Sequence, residues 1–121
     1  MVPTWPSRPA SEQLSQSNEA LLAIRIYDAV LEREPENVTA LTYRGWLVHQ
    51  AELDEEALTY LDRALAVDPD FPAALVFRAV VLRDLGRTDE AREALAAFDT
   101  TDPPEQMSQL VESLGLRESL Q

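Results

Sequence analysis

The sequence predicts an all-α fold of the solenoid kind, in which short helix pairs stack side by side and share one continuous core. Three observations predict it. The chain matches itself at a shift of 34 residues: Pro35, Pro69 and Pro103 coincide, as do Ala23, Ala57 and Ala91, and Tyr27, Leu61 and Leu95. Ala40-Leu41-Thr42-Tyr43-Arg44-Gly45 falls over Ala74-Leu75-Val76-Phe77-Arg78-Ala79, Asp28 over Asp62, and Glu56 over Glu90. A fixed period of this length marks a repeat array. Within a period the apolar residues keep helical spacing: Ala57, Leu58, Leu61, Ala64 and Leu65 form the i, i+3, i+4, i+7 stripe of an amphipathic helix. Finally, the chain has only 3 glycines against 8 prolines, too few turn formers for a loop-rich β fold, and the prolines recur where helices should stop.

The elements follow in order. Residues 1–6 read as an N-terminal tail and 7–37 as a first repeat. Its first helix is degenerate: Leu14 is the one large apolar residue of 7–16, and Pro9 limits where a helix can begin, whereas the stretch 21–34 is strongly helical. In the second repeat, 38–71, Asn37 can cap a helix over 38–50 with Leu41, Tyr43, Leu47 and Val48 as its apolar positions. Asp54 can cap the partner helix, which Pro69 follows. In the third repeat, 72–103, Pro72 opens the first helix, Gly86 ends it and Thr88 can cap the second. Asp102-Pro103-Pro104-Glu105 then starts a closing helix, 104–115, whose stripe Met107, Leu110, Val111 and Leu114 is read as core against the third repeat. Residues 116–121 remain as a C-terminal tail.

Composition removes whole classes of function. The formal charge is -12, and all ten basic residues are Arg. Such a surface repels phosphate backbones and anionic lipid heads, which argues against nucleic acid and direct membrane contact and favours a basic or neutral partner. Absence of Cys removes disulfides, thiolate metal sites and cysteine nucleophiles. No run of 18 apolar residues is present to span a bilayer. Met1-Val2-Pro3-Thr4-Trp5-Pro6 lacks a signal pattern, so the chain is expected in the cytoplasm if complete and outside it if cut from a membrane-anchored protein. No phosphate loop, nucleophile elbow or metal-spaced cluster occurs, so no catalytic residue, metal or cofactor is expected. His49 has Glu52 and Asp54 nearby but no second His, and reads as a polar surface residue rather than a ligand. The pairs Glu55-Glu56 and Asp89-Glu90 sit in first turns, where they complement the helix dipole.

The pattern resembles the tetratricopeptide repeat, whose signature is W-x2-L-G-x2-Y, then A-x3-F, then P at a 34-residue period. The second copy reads Leu41-x2-Arg44-Gly45-x2-Val48, Ala57-x3-Leu61, Pro69; the third reads Leu75-x2-Arg78-Ala79-x2-Leu82, Ala91-x3-Leu95, Pro103. The first keeps Ala23-x3-Tyr27 and Pro35, with Ser11 where Gly is expected. The resemblance covers residues 7–105. It implies a right-handed superhelix of three helix-turn-helix repeats whose first helices line a concave groove that binds extended peptides or partner helices.

Carried over by position, the groove residues are Thr39, Thr42, Tyr43, Trp46, His49 and Gln50 in the second repeat, and Ala73, Val76, Phe77, Val80, Arg83 and Asp84 in the third. Trp46, Val76, Phe77 and Val80 would make an apolar patch suited to a partner. The competing reading packs Tyr43 and Phe77 inside the helix pairs; Trp46 has Leu47 beside it to serve the core in its place. Small residues at Gly45, Ala57, Ala79 and Ala91 would let paired helices approach. Arg44 and Arg78 share a phase, as do Asp28 and Asp62, which reads as ion pairing across each repeat joint in preference to ligand contact. Chaperone-binding members hold a terminal carboxylate with several basic groove residues; here Arg83 is the one basic position, so that activity is not implied.

The leading functional expectation is a non-catalytic scaffold binding a protein or peptide. A second is self-assembly, since Leu21, Leu22, Ile24 and Ile26 form an apolar edge that a homodimer would cover. A narrower resemblance joins Ile24-Arg25-Ile26-Tyr27-Asp28, Tyr43-Arg44-Gly45-Trp46, Phe77-Arg78-Ala79-Val80-Val81-Leu82 and Asp102-Pro103-Pro104 to the soluble repeat tail of bacterial c-type cytochrome biogenesis proteins. It implies an apocytochrome-like partner and an extracytoplasmic location.

Overall fold

The computed structural model describes the backbone from Ala10 and the side chains from Asn18; residues 1–9, which hold the expected tail and the start of the first repeat, lie outside the described residues. Every regular element described is helical: α1 (Ala10–Arg33), α2 (Val38–Gln50), α3 (Asp54–Val67), α4 (Pro72–Asp84), α5 (Thr88–Asp99), α6 (Glu105–Ser113) and α7 (Leu116–Ser119). α2 packs on α3 and α4 on α5, α3 and α4 join the two pairs, α1 lies on α2, and α6 and α7 close over α4.

Local chemistry sets these boundaries. The Asn37 carboxamide oxygen accepts the Ala40 N–H at 2.9 Å and caps α2. Pro72 occupies the first turn of α4, where its missing N–H costs nothing. Asp54 and Thr88 do not cap: Leu53 and Arg87 hold the N-cap positions of α3 and α5, and Asp54 is already helical. The chain reverses between paired helices at Glu52 (φ 65°) and at Gly86 (φ 79°), which occupy the same register. Gly45 lets α2 and α3 meet closely. A β-carbon there would lie 3.1 Å from Tyr60 Cβ, 3.2 Å from Leu61 Cγ and 3.3 Å from the Ala57 carbonyl.

The core runs from α2 to α7, and none of the described side chains of α1 is fully buried in it. Leu61, Leu82, Phe98, Val111 and Leu116 are fully enclosed, and α4 sits at its centre with nine of its thirteen residues buried. Neighbouring pairs are also joined by charge. Arg44 Nε donates to Asp28 Oδ1 at 2.9 Å and Arg78 Nε to Asp62 Oδ1 at 2.8 Å, linking α2 to α1 and α4 to α3. One register further on stand Glu112 and Ala96, and the pairing ends. Other cations fasten the closing helices: Arg117 bridges both Asp99 carboxylate oxygens at 2.9 and 2.5 Å, Arg83 reaches the Leu114 carbonyl, and Arg92 donates to the Leu120 carbonyl.

Two stretches differ from the sequence expectation. α1 is one unbroken helix where 7–37 reads as a helix pair. No Gly or Pro lies between Ala10 and Arg33, so nothing local forces a break. The expected tail at 116–121 contains α7: Gly115 takes φ 61°, redirecting the chain so that Leu116 and Leu120 are buried.

Candidate partner-binding face

The rotation of α2 decides which residues can meet a partner. Leu41, Gly45 and Val48 are buried against neighbouring helices, which turns Thr39, Tyr43 and Gln50 outward and leaves Trp46 and His49 partly covered. Five of the expected groove residues are not on the surface. Thr42, Val76, Phe77 and Val80 are 0, 0, 5 and 2% exposed, so they cannot line an open groove. For Val76, Phe77 and Val80 the reason is the position of α4 between α2, α3 and α5 and beneath α6 and α7; Thr42 is among the buried residues of α2. Ala73, also on α4, is the fifth. Thr42 is enclosed with no hydrogen-bond partner for its hydroxyl among the described residues.

Aromatic rings connect the buried and exposed parts of this face. Tyr27 stacks on Tyr43 (6.3 Å between centroids), Tyr43 meets Phe77 edge-on (5.8 Å), Phe77 stacks on Trp46 (4.3 Å), and Trp46 lies against His49 (5.1 Å). Phe77 is the buried member, and Tyr43 keeps 36% of its surface in water.

His49 ties three helices. Its Nδ1 lies 2.7 Å from Asp54 Oδ1 at the start of α3, and its Nε2 lies 3.4 Å from Asp84 Oδ2 at the end of α4. The Asp54 carboxylate expected to cap α3 is committed to this contact instead. Arg83 pairs with Asp84 at 3.1 Å and also donates to the Leu114 carbonyl and the Ser119 hydroxyl, so it anchors the closing helices rather than standing free for a ligand. Trp46, His49, Gln50, Glu52, Asp54 and Asp84 together border an open depression of about 490 Å³. In the sequence Glu52 and Asp54 read as neighbours of His49, and Asp54 also as a cap; their convergence with Asp84 needs the α3–α4 packing, which no local pattern shows.

Aromatic and acidic side chains meet at this depression. One wall is aromatic, the rim carries three carboxylates, and among the described residues no group of three or more His, Cys, Asp or Glu side chains is placed to hold a metal ion. No described helix is long and apolar enough to cross a membrane.

Helix pairs at a 34-residue period, closed by small residues at fixed positions and joined by repeated Arg–Asp pairs, define a helical-repeat scaffold. Two family models, each described as a tetratricopeptide repeat, match residues 13–66 and 55–114. The chain belongs to the tetratricopeptide repeat family, whose repeats generally mediate protein–protein interaction and are typically non-catalytic. It is 31% identical over 90 residues to a probable UDP-N-acetylglucosamine--peptide N-acetylglucosaminyltransferase SPINDLY of Hordeum vulgare, a match to 74% of this chain and 10% of that protein. It is 36% identical over 74 residues to tetratricopeptide repeat protein 13 of Homo sapiens, 57% of this chain and 9% of that protein. The SPINDLY protein of Solanum lycopersicum is 28% identical over 90 residues, again 10% of its length. The chain thus spans about a tenth of the curated relatives it matches, and the likeness extends to repeats alone.

Proposed function

We propose that this chain is a non-catalytic scaffold that takes a peptide segment or partner helix on the α2 face around Trp46, and that the bound segment is basic or neutral. The observation that carries this reading is the juxtaposition of Trp46 with Glu52, Asp54 and Asp84 around one open depression. An aromatic wall supplies apolar contact area, and a carboxylate rim on a chain of net charge -12 attracts cationic side chains. The contact surface proposed is Thr39, Tyr43, Trp46, His49 and Gln50; Arg83 supports it from behind.

An apocytochrome as the partner is the narrower reading. The residues that suggest it, among them Tyr27, Arg44, Phe77 and Arg78, are occupied in ring stacking and joint pairs, which supports scaffold kinship and carries no information about a ligand.

The test is affinity capture from the source organism's lysate, followed by binding isotherms with the partner identified by mass spectrometry. Trp46→Ala is expected to weaken binding at least roughly tenfold, as loss of an aromatic hot spot does. Because Trp46 also stacks on Phe77, Gln50→Arg serves as a second variant on an exposed residue and should weaken a basic partner without disturbing the core. Unchanged affinity in both variants would move the partner off this face.

A further inference from the structure

α1 is the exceptional member of the array. In the two complete pairs the chain reverses at a residue of positive φ, Glu52 and Gly86. Asn18 stands 34 residues before Glu52, and Asn accepts this conformation more readily than most residues, yet α1 runs straight through it. The complete pairs show what a straight α1 leaves bare. Gly45 of α2 meets Ala57, Tyr60 and Leu61 of α3. The same register sets position 11 against Ala23, Ile26 and Tyr27. With no reversal, 10–17 is carried away from that face, and Ile26 is left 60% exposed.

We propose that residues 10–17 of a second copy cover this face, the two α1 helices lying antiparallel across a two-fold axis at Asn18. The register supports the placement. Since Gly45 faces residues 57–61, the α2–α3 contact is centred on its turn at residues 51–53. Shifted by one repeat, the centre falls on 17–19. Two straight α1 helices crossing there reproduce, twice over, the packing that α2 makes with α3. This is an exchange of identical elements, which closes after two chains.

A separate observation fits the same axis. Where the other pairs carry Glu55-Glu56 and Asp89-Glu90, α1 carries Leu21-Leu22, 53% and 57% exposed. Carboxylates at those two sites complement a helix N-terminus, as first-turn acids do. α1 has no terminus at residue 21, so that electrostatic role is absent there. Leu21 and Leu22 instead border, with Asn18 and Arg25, a depression of about 290 Å³ beside the axis, where each copy's leucines would meet the other's.

The chain has no Cys, so disulfide trapping is clean. A mixture of Ser11→Cys chains and Ile26→Cys chains, oxidised mildly, is expected to give a cross-linked dimer of one of each, while either alone is not. The doubly substituted chain is expected to cross-link between chains. Sedimentation of the unmodified chain should show a concentration-dependent dimer, and Leu21→Glu with Leu22→Glu should weaken it at least roughly tenfold while leaving the helical circular dichroism unchanged. A monomer at every concentration, a bond formed within one doubly substituted chain, or a dimer that fails to trap between positions 11 and 26 overturns the exchange. None of these outcomes bears on the Trp46 face, which lies on a different helix.

Discussion

Gly45 offers a quantitative test of how closely α2 and α3 approach. Placing a methyl there, as in Gly45→Ala, brings a β-carbon to 3.1–3.3 Å from Tyr60 Cβ, Leu61 Cγ and the Ala57 carbonyl. Optimal carbon contacts lie nearer 3.5–4.0 Å, so the two helices must part by a few tenths of an ångström. Against this, alanine in mid-helix is favoured over glycine by about 1 kcal/mol. The two effects oppose, and the net change is expected to stay within about 1 kcal/mol, in keeping with Ala79 at the same register of the next pair. Gly45→Val adds two further methyls into the same contact without a comparable propensity gain. Overpacking of this kind costs about 1–3 kcal/mol. Urea unfolding of the three chains would read the difference from midpoints at constant slope. A Gly45→Val chain as stable as the parent would show that α2 and α3 are not in close contact at this point, and would refute the role given to small residues along the array.

Further predictions concern charge. The Arg78–Asp62 pair has a largely exposed carboxylate, so a double-mutant cycle with Arg78→Met and Asp62→Asn should give a coupling of about 0.2–1 kcal/mol that shrinks in high salt; no coupling at low salt would remove the joint pair from the stabilising contacts. Asp99 behaves differently with pH. Hydrogen bonds from Arg117 hold its carboxyl below the usual range, so the folded chain binds this proton less readily than the unfolded one. The contribution is therefore complete above the ordinary carboxylate pKa of about 3.9 and is lost as pH falls through the lower folded value. Both partners are nearly half exposed, which limits the effect to about 1 kcal/mol at most. Asp99→Asn should be slightly less stable than the parent at neutral pH, with the gap closing under acid; a gap that stays constant from neutral pH down to about one unit below the ordinary carboxylate value would refute the assignment.

How much of this was legible in the sequence depends on the distance over which the causes act. The joint pairs were legible because Arg44 and Arg78 recur in one phase and Asp28 and Asp62 in another, and a half-buried guanidinium needs an acceptor. The helix pairs were legible from periodicity and prolines. Burial of Val76, Phe77 and Val80 was written in the chain too: the run from Ala73 to Leu82 is apolar all round apart from Arg78, and such a helix belongs inside. Transfer of groove positions from the family obscured that signal. α7 was readable from Leu116 and Leu120, spaced four apart after a glycine. The straightness of α1 was not, since Asn18 suits both a turn and a helix and the choice rests on packing beyond the local stretch. Nor was the meeting of His49 with Asp84, which joins residues 35 positions apart in the chain.

The loss of the Arg–Asp joint at Ala96 and Glu112 has a consequence for assembly. A repeat stack with the same chemistry at both ends is an invitation to polymerise, because each chain's last pair would accept the next chain's first. Here the position one repeat before Arg44 is Ala10 and the position one repeat after Asp62 is Ala96, so neither the guanidinium nor the carboxylate of the interior joints recurs there. Head-to-tail packing of two copies would therefore lack the ionic clasp that joins the pairs within the chain.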